Sequence, residues 1–434
     1  MFDYQSLNEK VQSREAKVAI WGCGFVGTTN LFYLSKQGFT CLGIDTSERR
    51  VHEINNGYFN INSDMEAIDV SEKKFEVVQD FHSYDLSDID IHMLCLPTEK
   101  DFKPYNGFIV NVINSIIESK SRGFLLIIEC SMPPRWIDEC IIRPLEKKSL
   151  VEGKDYILGS APRRDLFGDE KFSLKNTQRV ISGDNEGCKK IMYEFYNSFC
   201  DKLVIGKDNY HTVLSKIVEN TYRCFDISLA NQLNVALKDF DINHVLELAA
   251  TKWNMQKYHP SFGIGGYCIP LAPQYIMEQI NNDYSILPVF KQMIDFNENS
   301  IDKVLSLYLP LINKSDNIAV LGLSSIPNVG ILNCSIGLQL VKKLYNLGYR
   351  VNVDDPYFTS EELTKVSSCD SIPNIYDMTN YHVIFIVTQH DKYKNLFSKI
   401  KFCKDSIVID SFNTWENMGK DMKHLEVGQA VMEE

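Results

Sequence analysis

Residues 17–45 read KVAIWGCGFVGTTNLFYLSKQGFTCLGID, and this stretch decides the fold. Residues 17–21 are apolar and predict a buried strand, and the apolar periodicity after the glycines predicts a helix that reaches about Gln37 and stops at Gly38. Residues 40–45 predict a second strand. A strand, a glycine-rich turn, a helix and a further strand indicate a βαβ unit and a parallel sheet.

The glycine-rich turn at 22–27 (GCGFVG) lies between that strand and that helix. Gly22 permits a tight turn, Gly24 lets the backbone approach a pyrophosphate, and Gly27 lets the helix pack closely on the strand. The free N–H groups of the helix N-terminus would face the phosphates. Asp45 ends the second strand, where a carboxylate can bind the adenosine ribose hydroxyls. The stretch therefore predicts a dinucleotide site.

We predict that the dinucleotide is NAD, because Asp45 would repel the 2′-phosphate of NADP. Arg49 and Arg50 leave NADP open, since a nearby arginine can accept that phosphate. Two turns that follow later strands are expected to complete the site, with Leu96-Pro97-Thr98 on the nicotinamide side. The predicted cofactor contacts are Gly22, Gly24, Phe25, Val26, Gly27, Asp45, Arg50, Pro97, Thr98 and Ser131.

The rest of the chain predicts two further parts. Strand patterns continue at 91–96, 124–129, 156–160 and 179–182, and a long helix without glycine or proline covers 208–240. A second helix is predicted at 245–251, a glycine- and proline-rich loop at 258–273, and a second α/β pattern with strands at 318–321, 349–353, 383–387 and 406–409 and a helix at 334–347. We expect a Rossmann-type α/β domain at 1–206, a central long-helix dimerisation domain at 207–305 and a smaller Rossmann-like α/β domain at 306–434.

Composition limits the partners. The net charge of −12 supplies no basic excess for nucleic acid or an anionic membrane. The apolar runs are far shorter than the roughly 20 residues of a membrane helix, and the polar N-terminal stretch does not resemble a signal peptide. The twelve cysteines occur singly, without a CxxC pair, so we expect no metal site and reduced thiols in a cytoplasmic protein.

Candidate chemistry concentrates at one cysteine and one helix. Cys268 lies in a glycine-dense segment, FGIGGYCIP, at 262–270, where a ligand can come close. Lys216 and Asn220 are four residues apart and share a helix face, which could hold an alcohol oxygen or an oxyanion. Taken alone, that pair is more typical of a solvated helix face. Ser131 follows a strand and sits where a doubly wound sheet presents groups to its ligand.

These segments resemble the UDP-glucose/GDP-mannose dehydrogenase family, the nucleotide-sugar 6-dehydrogenases, over nearly the whole chain after about residue 16. The resemblance rests on GCGFVG (22–27), LPT (96–98), CSMPP (130–134), LSKIVENTYRCFDISLANQLN (214–234), FGIGGYCIP (262–270), GLSSIPN (322–328), GYRVNVDDP (348–356) and VTQHDKY (387–393). The central helix looks closer to the N-acetylhexosamine branch than to the UDP-glucose branch.

The resemblance implies a chemistry. Such enzymes oxidise a sugar C6 alcohol to a carboxylate with two NAD per sugar. Cys268 would attack the aldehyde intermediate to give a thiohemiacetal, and further oxidation would give a thioester that water hydrolyses. Lys216 and Asn220 would stabilise the oxyanions, with Ser131 in place of the usual threonine. The implied substrate contacts are Arg163, Arg164, Lys216, Asn220, Tyr258, Gly263, Gly265 and Gly266.

Several family positions differ in this chain. Arg163 replaces a glutamate and Ala272 an aspartate, the two carboxylates expected to manage protons and water. The other replacements are Tyr267 for histidine, Ile326 for lysine, Gly330 and Ile331 for two acids, and Asn333 and Phe412 for arginines. Arg163 adds positive charge that would suit an extra anionic group. Groups elsewhere in the fold would equally compensate for the changes.

Three hypotheses therefore stand: a uronate-forming 6-dehydrogenase, a two-electron sugar-nucleotide dehydrogenase that stops at an aldehyde or ketone, and an impaired homologue that only binds NAD or the sugar nucleotide. The retained Lys216, Asn220 and Cys268 favour the first, and the changed carboxylates favour the others. The apolar stripe of the long helix is too extensive for one small domain to cover, so we predict a homodimer.

Overall fold

The computed structural model describes residues 1–58, 74–79, 81, 84–119, 121–166, 170–415 and 423–431. The chain forms two compact units. The N-terminal unit comprises Met1–Glu219 and Gln274–Asn282, and the C-terminal unit comprises Asn220–Pro273 and Asp283–Glu434. Within the described part of the chain, no helix is both long and apolar enough to span a bilayer.

The N-terminal unit is an α/β structure. Its strands are β1 Lys17–Trp21, β2 Thr40–Ile44, β3 Phe75–Val78, β4 Ile91–Leu94, β5 Glu99–Lys100, β6 Lys103–Pro104, β7 Phe124–Ile128, β8 Tyr156–Ser160, β9 Arg179–Gly183 and β10 Leu203–Ile205. Its helices are α1 Tyr4–Ser13, α2 Phe25–Lys36, α3 Glu48–Asn55, α4 Gly107–Glu118, α5 Arg143–Lys147 and α6 Glu186–Asn197, with a π-helical turn Ile137–Ile142 and 3₁₀ turns Leu86–Asp88 and Glu170–Phe172.

Eight of these strands form one sheet in the order β10-β9-β8-β7-β4-β1-β2-β3. The order β3-β2-β1-β4 reverses direction between β1 and β4, which is where a Rossmann sheet binds its ligand. The predicted parallel sheet is confirmed from β3 to β8. It is wrong at β9, which pairs with β8 in the antiparallel sense, because local sequence patterns do not specify strand direction.

The C-terminal unit contains a second, smaller α/β sheet. Its strands are β11 Asn317–Leu321, β12 Arg350–Asp354, β13 Asp377–Met378, β14 Val383–Ile386, β15 Lys401–Phe402, β16 Ile407–Asp410 and β17 Lys423–Glu426. Its helices are α8 Ile242–Ala250, α10 Pro288–Glu298, α11 Ser300–Leu305, α12 Ile336–Asn346, α13 Ser360–Ser367 and α14 Asp391–Lys394, with 3₁₀ turns Leu309–Leu311 and Phe397–Lys399. The main sheet has the order β12-β11-β14-β16-β17 and is parallel throughout.

Two helices pass from one unit into the other. The long helix α7, Asn209–Ala236, confirms the predicted helix. Helix α9, Cys268–Gln279, corrects the predicted loop, which ends at Tyr267 instead of Pro273. Prolines suggested a loop there, but Pro270 lies in the first helical turn, where a backbone N–H has no partner within the helix and its loss costs little.

Candidate active site

The predicted cofactor residues lie at the carboxyl edge of the N-terminal sheet. Asp45 follows β2, the glycine turn follows β1, Pro97 and Thr98 follow β4, and Ser131 follows β7. These four strands are neighbours in the order β7-β4-β1-β2. The sheet therefore brings the residues to one edge, on both sides of the switch point between β1 and β4.

The three glycines of the turn meet different surroundings. Gly22 has φ +88°, and a Cβ there would lie 2.6 Å from the carbonyl oxygen of Cys95. A Cβ on Gly27 would lie 1.8 Å from the carbonyl oxygen of Gly22. A Cβ on Gly24 would meet no described atom within 4 Å. The close backbone atoms thus explain why residues 22 and 27 are glycine. The open space beside Gly24 instead fits the approach of a pyrophosphate.

Asp45 and Arg50 hold this turn. The backbone N–H of Cys23 donates to Asp45 Oδ2 at 2.8 Å, and the N–H of Ser47 donates to Oδ1 at 2.9 Å. Each carboxylate oxygen has a further lone pair for a ribose hydroxyl. Arg50 donates to the carbonyl oxygen of Cys23 at 3.0 Å and to Thr28 Oγ1 at 3.0 Å. Arg50 therefore braces the turn.

The ends of β4 and β7 are tied together by Thr98. Its buried hydroxyl donates to the carbonyl oxygen of Ser131 at 2.6 Å and lies 2.7 Å from the hydroxyl of Tyr275. Pro97 is exposed and Ser131 is half-buried. Sequence reasoning missed Tyr275, because it lies 177 residues from its partner and no local motif marks it.

Arg163 is turned into the protein. Its guanidinium forms two hydrogen bonds with Asp165, at 2.6 and 2.5 Å, and donates to the carbonyl oxygen of Val26 at 3.2 Å. The side chains of Arg163 and Asp165 are 7% and 5% exposed. The expected extra positive charge for an anionic ligand is thus largely neutralised by Asp165, and the substrate contact of Arg163 remains a prediction. Its visible role is to brace the first turn of α2.

A second buried ion pair lies behind Ser131, and sequence reasoning missed it. Arg179 on β9 contacts Glu129, which follows β7, at 2.6 Å. Tyr196 on α6 donates to the same carboxylate. Burial, and then the charge of Glu129, raise the pKa of Tyr196 well above its usual value. This cluster anchors the segment that leads to Ser131.

Lys216 and Asn220 do not lie on a solvated helix face. The Lys216 side chain is 14% exposed and Asn220 is 4% exposed. Lys216 Nζ lies 4.0 Å from Glu219 Oε2, and Arg164 approaches Glu219 Oε1 at 2.8 Å. The N-terminal unit therefore places two cations around one carboxylate, at the position where the sequence suggested only a Lys–Asn pair.

Cys268 is the first residue of α9. Of the twelve cysteines, ten are buried and Cys268 is exposed. Burial raises the pKa of several of the others, Cys140 to about 11 among them. A helix N-terminus stabilises negative charge beside it. Exposure and position together distinguish Cys268 as the candidate nucleophile.

Four asparagine side chains of the C-terminal unit hold the segment that leads to Cys268. Asn220 donates to the carbonyl oxygen of Cys268 at 3.2 Å. Asn231 accepts from the N–H of Ser261 at 2.7 Å, and Asn297 accepts from the N–H of Ile264 at 2.9 Å. Asn333 donates to the hydroxyl of Tyr267.

The predicted glycines of this segment are either tightly packed or in the left-handed backbone region that glycine favours. A Cβ on Gly263 would lie 2.3 Å from Ser300 Oγ, and one on Gly265 would lie 2.9 Å from the carbonyl oxygen of Cys334. Gly266 has φ +76°. Tyr258 is half-buried, with its hydroxyl donating to Gln256 Oε1 at 3.0 Å.

A cavity of about 220 Å³ lies at the carboxyl edge of the C-terminal sheet. It spans the ends of β11, β14 and β16, including the switch point between β11 and β14, and the 261–265 segment covers it. Its walls are Ser261, Phe262, Gly263, Gly265, Ser324, Ser325, Pro327, Ile336, Val387, Thr388, Gln389, Ser411 and Phe412. The cavity thus includes predicted substrate residues Gly263 and Gly265 but not Tyr258 or Gly266.

Comparisons with known proteins cover nearly the whole chain. Residues 16–200, 212–299 and 319–417 match the NAD binding domain, central domain and UDP binding domain of the UDP-glucose/GDP-mannose dehydrogenase family. The UDP-N-acetyl-D-mannosamine dehydrogenase of Methanococcus vannielii is 25% identical over 97% of this chain and 100% of that protein. The UDP-N-acetyl-D-glucosamine 6-dehydrogenase of Salmonella typhi is 22% identical over 89% of this chain and 92% of that protein.

The fold is likewise shared with solved structures. The UDP-D-ManNAc dehydrogenase from Pyrococcus horikoshii has a TM-score of 0.79 and 22% identity, over 96% of this chain and 100% of that one. A UDP-glucose dehydrogenase from Pyrobaculum islandicum has a TM-score of 0.78 and 16% identity, over 96% and 98% of the two chains. Because the three domain matches together span most of its length, the chain belongs to the UDP-glucose/GDP-mannose dehydrogenase family of NAD-dependent oxidoreductases.

Proposed function

We propose that this chain oxidises the C6 alcohol of a UDP-hexose or UDP-N-acetylhexosamine to the uronic acid, with NAD as the oxidant. One observation carries the proposal: a single short segment covers the C-terminal cavity at Gly263 and Gly265 and ends at the exposed Cys268. The relatives named as UDP-N-acetylhexosamine dehydrogenases support this substrate class and the first of the three hypotheses.

The residues of the N-terminal unit fit NAD. The space beside Gly24 admits a pyrophosphate at the N-terminus of α2, and Asp45 can accept hydrogen bonds from the ribose hydroxyls. Pro97, Thr98 and Ser131 would border the nicotinamide. NAD, when bound, accepts hydride from the sugar carbon. The protein's contribution is to hold that ring at the sheet edge.

The cavity of the C-terminal unit fits an uncharged part of the nucleotide better than its phosphates. None of its wall residues carries a formal charge. Phe412 offers an aromatic face to a base, and the buried Ser411 hydroxyl has no hydrogen-bond partner among the described residues. Recognition would thus rely on stacking and hydroxyls in place of the usual lysine and arginine.

The proposed reaction proceeds through Cys268. Its thiolate adds to C6 of the aldehyde, and the carbonyl π electrons move to the oxygen, which Lys216 and Asn220 are assigned to stabilise. This adduct carries the hydrogen that the second oxidation removes as hydride, leaving a thioester. Attack by water then releases the carboxylate and restores the thiol. Asn220 supports the assignment, because it already contacts the backbone of Cys268.

Arg163 and Ala272 stand where the family has carboxylates that manage protons and water. The number of oxidations per sugar is therefore the decisive test. We expect two NADH per sugar from the wild type. One would support the two-electron hypothesis, and none the binding-only hypothesis. Cys268→Ser should stall after the first hydride, whereas Cys403→Ser, at a half-buried cysteine that the proposal does not use, should behave as the wild type. Full uronate formation by Cys268→Ser would remove Cys268 from the mechanism.

We also propose that the chain works as a cytoplasmic homodimer, with the functional divisions 1–206, 207–305 and 306–434. Large apolar side chains are exposed along α7, α8 and the segments after each: Tyr222, Leu229, Leu237, Phe240, Val245, Leu248, Trp253 and Met255. Burial of such a surface favours association. Light scattering should give twice the chain mass, and Leu229→Asp should shift it to the monomer. A monomeric wild type would refute the proposal.

A further inference from the structure

Tyr267 and Asn333 are in direct contact within the C-terminal unit. The side-chain amide of Asn333 donates to the hydroxyl of Tyr267. Each residue departs from the family pattern, where a histidine and an arginine are usual.

This bond lies at the edge of the cavity. Gly263 and Gly265 line the cavity, and the chain runs from them through Tyr267 to Cys268. Ile336, three residues after Asn333, lines it as well and lies beside both glycines. The backbone N–H of Gly266 also donates to the carbonyl oxygen of Cys334 at 3.3 Å. Two adjacent hydrogen bonds thus fasten the nucleophile's segment to the segment that precedes α12.

We infer that Tyr267 is a positioning residue whose hydroxyl, held by Asn333, transmits occupancy of the cavity to Cys268. A nucleotide in the cavity would contact both segments and restrain them together. The Tyr267–Asn333 bond extends that restraint to the residue next to the nucleophile. The inference rests on the proposed function, because it takes the nucleotide to bind in this cavity and Cys268 to be the nucleophile.

The test measures the rate at which iodoacetamide alkylates Cys268, followed by peptide mass spectrometry, with and without UDP. UDP should slow alkylation of the wild type, because a restrained segment gives the reagent fewer productive orientations. Tyr267→Phe removes only the hydroxyl and should reduce this protection by about two- to twelve-fold, the range expected for one hydrogen bond. Tyr376→Phe, which removes an exposed hydroxyl of the same unit, should retain full protection.

A double-variant cycle tests whether the hydrogen bond between Tyr267 and Asn333 accounts for the effect. Asn333→Ala should reduce protection as Tyr267→Phe does, and the double variant should be no worse than either. In turnover, kcat should fall at a temperature where circular dichroism shows every variant to be fully folded, so that a smaller folded fraction does not account for the loss.

Two results would overturn the inference. If UDP raises the melting temperature of every variant and Tyr267→Phe keeps full protection, the positioning role fails while the proposed function stands. If UDP neither raises the melting temperature nor changes alkylation of the wild type, the nucleotide does not bind in this cavity, and both proposals fail.

Discussion

Replacing Arg163 by glutamine should destabilise the N-terminal unit strongly, although the residue stands at a position expected to face the substrate. Its pair with Asp165 is almost fully buried, with side-chain exposures of 7% and 5%. Removing one partner leaves a buried, uncompensated charge, which costs about 3–5 kcal/mol. The carbonyl oxygen of Val26 also loses a donor.

The expected loss can be read from the melting temperature. A domain of 150–250 residues, the range into which this unit falls, loses about 2–4 °C per kcal/mol. Arg163→Gln should therefore melt about 6–20 °C below the wild type by circular dichroism. The matched control is Arg164→Gln, whose pair with Glu219 is 28% and 33% exposed and is worth under about 1 kcal/mol.

The pH dependence of stability that Asp165 contributes should also have opposite signs in the wild type and in Arg163→Gln. Burial alone would raise the pKa of Asp165, but the charge and hydrogen bonds of Arg163 outweigh burial and lower it. In the wild type this pair therefore contributes stability above the unfolded pKa of about 4, and loses it as pH falls through the folded pKa. In Arg163→Gln, only the charge of Arg179 and a backbone hydrogen bond still oppose burial, so the pKa of Asp165 should rise and stability should fall as pH rises from about 5 to 8. If Arg163→Gln has the same melting temperature as Arg164→Gln at both about pH 5 and about pH 8, the reasoning is refuted.

Three further predictions concern the same unit. Gly27→Ala should impair folding, because its Cβ would lie 1.8 Å from a backbone oxygen, whereas Gly24→Ala, with open space around the added carbon, should fold normally and lose NAD affinity. Calorimetry and melting curves separate the two effects, and equal melting losses would contradict the assignment of Gly24. Asp45→Asn should lower NAD affinity by about ten-fold, since a charged acceptor is lost, and should raise relative use of NADP. Comparison of kcat/KM with each cofactor checks this, and an unchanged ratio would count against Asp45. Burial and the adjacent Glu152 raise the pKa of Asp184 to about 8, so its stabilising contribution, present below the unfolded pKa, is lost as pH rises through 8. Asp184→Asn should flatten the fall in melting temperature between pH 6 and 9, and a parallel fall in both proteins would disprove it.

Local patterns in the sequence were sufficient for the elements and for the cofactor loop. The turn at 22–27 is determined locally, because backbone geometry and close packing within a few residues of chain require its glycines. The strands predicted at 17–21 and 156–160 have the same bounds as β1 and β8. The start of α9 at Cys268 was missed, because Pro270 in its first turn and Pro273 inside it look like loop prolines when only the sequence is considered.

The roles of the charged residues were decided only by tertiary structure. Arg163 and Arg164 are adjacent and chemically identical in sequence, yet Arg163 is buried and reaches the carbonyl oxygen of Val26, 137 residues away, whereas Arg164 reaches Glu219, 55 residues away. The contact between Tyr267 and Asn333 joins positions that are 66 residues apart. Backbone turns are specified by nearby residues, so the sequence alone determined the NAD loop. The partner of a long polar side chain depends on which distant segments the fold brings within a few ångströms, and the three-dimensional structure alone determined that.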